Sequence, residues 1–233
     1  MILQEALNEF LFQKKLAGLS PKSIEDYQTI LGILLTAVGS SMPLESLSYT
    51  TVANYILSLY DRPLSRSTVA TYIRNTRIFL RWVYREYGLS FNPAKIKVPK
   101  SPKKIVHIYT DTEIQFLFSC IQTSVPRITA RNSAIIALML DSGIRQKEVC
   151  ELQKADIDKE RMLMKVTGKG AKDRLVPLGY ISSLFLDDYL SQCPYSNTAY
   201  VFVDRLGRPL SGNAVRVFVN RLQKKITFRF IFA

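Results

Sequence analysis

The chain has 233 residues, 47% hydrophobic and 22% charged, with 32 Lys+Arg against 19 Asp+Glu and a formal net charge of +13. A chain of this size and apolar content buries roughly 70% of its unfolded surface, as one large domain or two small ones, which excludes a disordered polymer. Its 3 cysteines, widely spaced and without a Cys-x-x-Cys pair, argue against a disulfide framework or a zinc site, and the longest aliphatic run, Ala134 to Leu140, falls far short of the roughly 18 residues that suggest a membrane span.

In chain order, Leu3, Leu7, Phe10 and Leu11 recur at helical spacing up to Gly18. Ser20 and Pro21 supply an N-cap and a proline at the first helical position, and Ile24, Tyr27, Leu31, Leu34 and Val38 carry a second helix to Gly39. Thr50 or Thr51 starts a third helix with Val52, Tyr55, Ile56 and Leu59, and Ser65 caps a longer fourth that ends near Gly88. On this fourth helix Val69, Tyr72, Ile73, Thr76, Leu80, Val83 and Tyr87 form the inward stripe. Arg66, Arg74, Arg77, Arg81 and Arg85 repeat on another face, with Trp82 adjacent. An ordinary charge run is a solvated outer face. Here Glu86 is the single acid at hand, and an arginine stripe beside aromatics suits phosphates and a groove.

Residues 93–106 break the pattern. Pro93, Pro99 and Pro102 exclude a regular helix, and Lys95, Lys97, Lys100, Lys103 and Lys104 keep the stretch wet and extended, as an interdomain linker that can also lie along a phosphate backbone. Beyond it, Thr110-Asp111-Thr112-Glu113 is a capping box opening a helix, and a buried helix follows from about Thr129 to Asp141, stopped by Gly143. Met162 to Val166 and Arg174 to Leu178 read as a β-hairpin, Ala199 to Val203 as a further strand, and Tyr180 to Ser191 and Ser211 to Lys225 as helices. The fold class is mainly α with a small antiparallel β-sheet: a helical domain over residues 1–92, a basic linker over 93–106 and a mixed α+β domain over 107–233.

Two segments carry chemistry. Around Arg145 a buried helix ends at Gly143, the arginine follows in the turn and Glu148 opens the next helix. A guanidinium on such scaffolding presents a planar fork to phosphate oxygens, and a nearby carboxylate can orient it; taken alone, the pair is an exposed helix-start ion pair of little value. In the hairpin turn Lys169 can reach past the sheet edge to a bridging phosphate oxygen or a leaving alkoxide, whereas in a lone Gly-Lys-Gly it merely solubilises the turn. The spacing of a phosphate-binding P-loop is absent. With His107 the sole histidine, a mechanism needing two imidazoles is excluded.

Together and in this order, the segments resemble the tyrosine recombinase family, the phage integrases and their chromosomal relatives. The family's small-Gly-apolar-Arg-x-x-Glu-apolar pattern is matched by Ser142 to Val149, continued by Leu152 to Ile157, and its Gly-Lys-Gly-x-Lys-x-Arg-x-Val-Pro-Leu hairpin by Gly168 to Leu178. Upstream, Leu19-Ser20-Pro21-Lys22-Ser23 is similar to the Leu-Ser-Pro-x-Ser/Thr start of the family's core-binding domain. The resemblance implies a SAM-like helical DNA-binding domain followed by an incomplete catalytic domain of the DNA breaking-rejoining type. It implies site-specific strand exchange without metal or cofactor, through a 3′-phosphotyrosyl bond. Arg145 matches the family's first catalytic arginine, Glu148 its acidic member and Lys169 its hairpin lysine. Arg66, Arg74, Arg77, Arg81, Arg85, Lys100, Lys103, Lys104, Lys172 and Arg174 are the expected DNA contacts.

The sequence departs from the family after Ser211 to Lys225. No His-x-x-Arg occurs, and Tyr180, Tyr189, Tyr195 and Tyr200 match no family nucleophile. The expectation is a truncated or frameshifted recombinase that binds duplex DNA, with other recombinase subunits as further partners, but does not cut it alone. The alternative is a non-catalytic DNA-binding regulator occupying recombination sites. An RNA-binding or structural basic protein accounts for the charge but not for Arg145, Glu148 and Lys169. With Glu5 and Glu9 where a signal peptide would be basic, the expected place is the cytoplasm, on the nucleoid.

Overall fold

A computed structural model describes residues 1–100, 107–168 and 172–228. The chain divides into two compact units, residues 1–105 and 106–233.

The first unit is built from α1 (Leu3–Leu16), α2 (Pro21–Val38), α3 (Tyr49–Tyr60) and α4 (Arg66–Glu86). Serine hydroxyls start three of these helices: Ser20, Ser48 and Ser65 accept from the N–H groups of Ser23, Thr51 and Thr68 at 3.3, 3.1 and 3.2 Å. The third helix therefore starts from Ser48 rather than at Thr50 or Thr51. Leu3, Phe10, Leu31, Leu34, Leu59, Ile73, Phe79 and Leu80 are fully buried between the helices.

Trp82 corrects the groove reading of its helix. It is 4% exposed, its ring lies 5.5 Å from that of Phe10, and its indole N–H donates to Gln13 Oε1 at 2.9 Å. A large apolar ring whose polar edge has a partner belongs in the core. Tyr87, placed on the inward stripe, is instead half-exposed at the helix end, its hydroxyl donating to Glu9. Residues 93–98 also depart from an extended spacer. Pro93–Lys95 form a 3-10 turn, Ile96 is 2% exposed against the helical core, and Val98 packs beside it.

The second unit holds α5 (Asp111–Ser119), α6 (Pro126–Ser142), α7 (Gln146–Glu151), α8 (Tyr180–Ser191) and α9 (Gly212–Gln223) together with a three-stranded antiparallel sheet. The sheet order is β1 (Ile157–Asp158), β2 (Leu163–Thr167), β3 (Asp173–Pro177). The capping box at α5 is present, with Glu113 N–H donating to Thr110 Oγ1 at 3.3 Å and Thr110 N–H to Glu113 Oε2 at 2.9 Å. α6 is the central post, its residues 133–139 all buried. In the hairpin Met164 pairs with Val176 and Val166 with Arg174, so these four side chains share one face, the inner one.

Residues 199–203 do not form the expected strand. Val201, Phe202 and Val203 are fully buried, but their neighbours are loops that give only isolated bridges, Gln153 to Tyr200 and Val203 to Pro209. Among the described residues no helix is long and apolar enough to cross a membrane.

Candidate functional site

The site begins where α6 stops. Gly143 takes the left-handed conformation at φ 62°, which a residue with a Cβ adopts only at a cost, and turns the chain sharply after a buried helix. Ile144 is 1% exposed and anchors the turn. Arg145 then occupies the N-cap of α7 with its side chain 60% exposed, so a rooted backbone carries an outward guanidinium.

Glu148 lies one turn further on and is 3% exposed along its side chain. Its carboxylate has two cationic neighbours. From its own helix start, Arg145 donates its N–H to Oε2 at 2.8 Å and Nη1 to Oε1 at 3.0 Å. From β3, Arg174 donates Nη1 to Oε1 at 2.7 Å and Nη2 to Oε2 at 2.8 Å, a bidentate fork. These bonds, Arg174's foremost, outweigh the desolvation that opposes them and hold the Glu148 carboxyl down to about 2. The same pairing raises Arg174. Gly168, at the end of β2, leaves room for the fork: a Cβ there would stand 3.2 Å from Arg174 Nη1 and 3.6 Å from Glu148 Oε1.

Arg145 and Glu148 are thus brought together. Arg174, expected as a DNA contact, has two of its N–H groups on Glu148. That partnership was not read from the sequence, although the signal exists: Arg174 alternates with Val176 and Leu178, which puts it on the inner face of its strand. Lys172 is exposed beside the hairpin turn and holds Gly168 N–H on its carbonyl at 2.8 Å. Lys169, Lys103 and Lys104 lie outside the described residues.

In the first unit, Arg66, Arg74, Arg81 and Arg85 are exposed along α4, and Lys100 is exposed beyond it. No acid of the described residues forms an ion pair with these arginines. Arg77 differs from the rest of the stripe: it is half-buried and donates to the Ile96 carbonyl at 3.2 Å. Among the described residues no three His, Cys, Asp or Glu side chains gather as a metal-binding group.

The chain is thus a helical unit followed by an α+β unit, in which an exposed arginine and a hairpin arginine share one buried carboxylate. The chain belongs to the phage integrase family, whose profile matches residues 108–230. It is 31% identical to the tyrosine recombinase XerC of Bacillus pumilus over 190 residues, covering 78% of this chain and 62% of the relative. It is 28% identical to the tyrosine recombinase XerC of Bacillus licheniformis over 216 residues, covering 87% and 67%. The chain thus spans about two thirds of these relatives' length.

The fold is shared with solved structures, two integrases among them. A lambda integrase dimer (residues 75–356) bound to a COC′ core site matches with a TM-score of 0.77 at 18% identity, over 98% of this chain and 83% of that one. The Tn1549 transposon integrase (residues 82–397), in complex with circular intermediate DNA, matches with 0.79 at 16% identity, over 97% and 78%.

Proposed function

We propose that these 233 residues bind duplex DNA as a site-specific recombination and integration protein of the tyrosine recombinase family, and that by themselves they do not cleave it. The observation that carries the reading is Arg145: an exposed guanidinium whose backbone and side chain are both tied to the buried Glu148. Held in this way it offers its remaining N–H groups to the non-bridging oxygens of one phosphate, where charge builds up during phosphoryl transfer. Lys169, which the resemblance assigns to the departing 5′ oxygen, would without cleavage add its charge to that of Arg66, Arg74, Arg81, Arg85, Lys100, Lys103, Lys104 and Lys172 in neutralising the DNA backbone. Relatives named tyrosine recombinases, and structural neighbours solved on DNA, support this assignment.

Cleavage needs more than this. A tyrosine oxygen must attack phosphorus, form the 3′-phosphotyrosyl bond and expel the 5′-hydroxyl. The sequence contains no His-x-x-Arg, because its one histidine is followed by Ile108, Tyr109 and Thr110. The second arginine, the later donor and a placed nucleophile are therefore not supplied by these residues. By themselves these residues would occupy recombination sites alongside subunits that carry the missing groups, in the cytoplasm on the nucleoid. A nicked suicide duplex tests both halves: the expected result is a salt-sensitive complex that SDS dissolves, and an SDS-resistant adduct overturns the non-cleaving half. Binding that ignores salt overturns the DNA-binding half.

A further inference from the structure

We infer that Arg174 is a positioning residue: it fixes the plane of the Glu148 carboxylate and, through that carboxylate, the aim of Arg145, instead of gripping DNA itself. The inference rests on the reading of Arg145 as a phosphate contact.

Arg145's guanidinium meets Glu148 through one nitrogen, Nη1 at 3.0 Å, while the side chain stays 60% exposed. One contact leaves a planar group free to pivot about it. Arg174 makes two contacts, one to each carboxylate oxygen, and a fork of that kind leaves the carboxylate no rotation. With the plane set, Oε2 receives the Arg145 N–H and Oε1 receives the Arg145 side chain, so both ends of Arg145 are registered against one rigid group.

The fork is itself held. Val166 lies opposite Arg174 on the inner face of the hairpin and is 3% exposed, and Gly168 gives the guanidinium its room. Drawing Arg174 out to a phosphate would strip a 3% exposed carboxylate of its bidentate partner, which is a steep cost for a buried ion. Arg145 pays no such cost when it adds a phosphate, because its outer N–H groups already face solvent.

The test is a double-mutant cycle on the full chain, read by fluorescence anisotropy with a labelled duplex of arbitrary sequence over a salt series. Arg145→Ala is expected to weaken binding about tenfold and to lower the salt slope by about 1, the effect of one charge-assisted contact. Arg174→Gln is expected to weaken binding by a similar factor, and the double variant to be no weaker than either. Arg174→Lys keeps the charge but loses the fork, and is expected to behave like Arg174→Gln. It also stands in for that variant should Arg174→Gln fail to fold.

If the two losses multiply, or if Arg174→Lys restores full binding, Arg174 acts independently and the inference falls, while Arg145 keeps its role. A silent Arg145→Ala overturns the phosphate reading and this inference with it. A side-chain NMR signal gives a readout that mere destabilisation would not move: the Arg145 Nε–H resonance is expected to be distinct in the parent chain and to collapse towards the free-arginine position in the Arg174 variants.

Discussion

Arg174 and Glu148, 26 residues apart in sequence, meet through paired bonds of 2.7 and 2.8 Å that join a hairpin strand to the helix carrying Arg145. The pairing leaves a buried carboxylate between two guanidiniums, and the surplus positive charge faces outward on Arg145. Burial opposes ionisation, yet the carboxyl stays well below its ordinary range because the nearby cations outweigh the lost hydration.

Acid should therefore weaken the second unit through Glu148. Its folded pKa of about 2 lies below the ordinary 4.5, so the stabilisation is fully present above the unfolded value and is lost as pH falls through the folded one. A shift of that size corresponds to about 3 kcal/mol. In urea titrations, the difference in unfolding free energy between the parent chain and Glu148→Gln is expected to be constant at neutral pH and to shrink between pH 4.5 and about 2. A difference that does not change across that window would mean that Glu148 is not held as an ion.

Trp82 is the single tryptophan and a core residue of the first unit. Its emission should be blue-shifted in the folded chain, move to the red on unfolding and stay unchanged when duplex DNA is added. Trp82→Ala should cost about 3–5 kcal/mol, as expected for an aromatic removed from a packed core. Quenching by DNA would return the residue to the groove-facing side of α4.

What could be read from the sequence was what neighbours along the chain decide. Ser20, Ser65 and the Thr110–Glu113 box mark helix starts through local hydrogen bonds, and the apolar period gives each helix its inner face. Trp82 sits between the two faces of its helix, and only packing against Phe10 and Gln13 decides its side. For residues 199–203 the composition correctly signals burial, but a strand needs a partner strand, and the chain supplies loops there. The pairing of Arg145 with Glu148 is a three-residue step along a helix start. The alternation of its strand turns Arg174 inward, but which residue it meets there, Glu148 at the start of α7, is set by tertiary packing that no local pattern reports.

The arginine stripe divides into two kinds of residue. Arg74 and Arg81 are exposed, so Arg74→Ala with Arg81→Ala should leave the melting temperature unchanged and reduce the slope of log affinity against log salt by about 2. Arg77→Ala should instead lower stability by about 1 kcal/mol, because the donor to the Ile96 carbonyl is lost. Unchanged binding of the double variant would make this helix face an ordinary solvated one.

Gly143 should prove a conformational requirement rather than a packing one. At φ 62° its missing Cβ faces open space, with nothing within 4 Å, so a substitution meets no clash and only the left-handed backbone resists it. Gly143→Ala is expected to cost about 1–2 kcal/mol and Gly143→Asn distinctly less, since asparagine tolerates this conformation. Because Arg145 caps α7 directly after Ile144, relaxation of the turn towards a right-handed conformation would also swing Arg145 off Glu148. Duplex affinity should therefore follow the same order, glycine above asparagine above alanine. Equal losses for both variants would show that the turn does not set the arginine's aim.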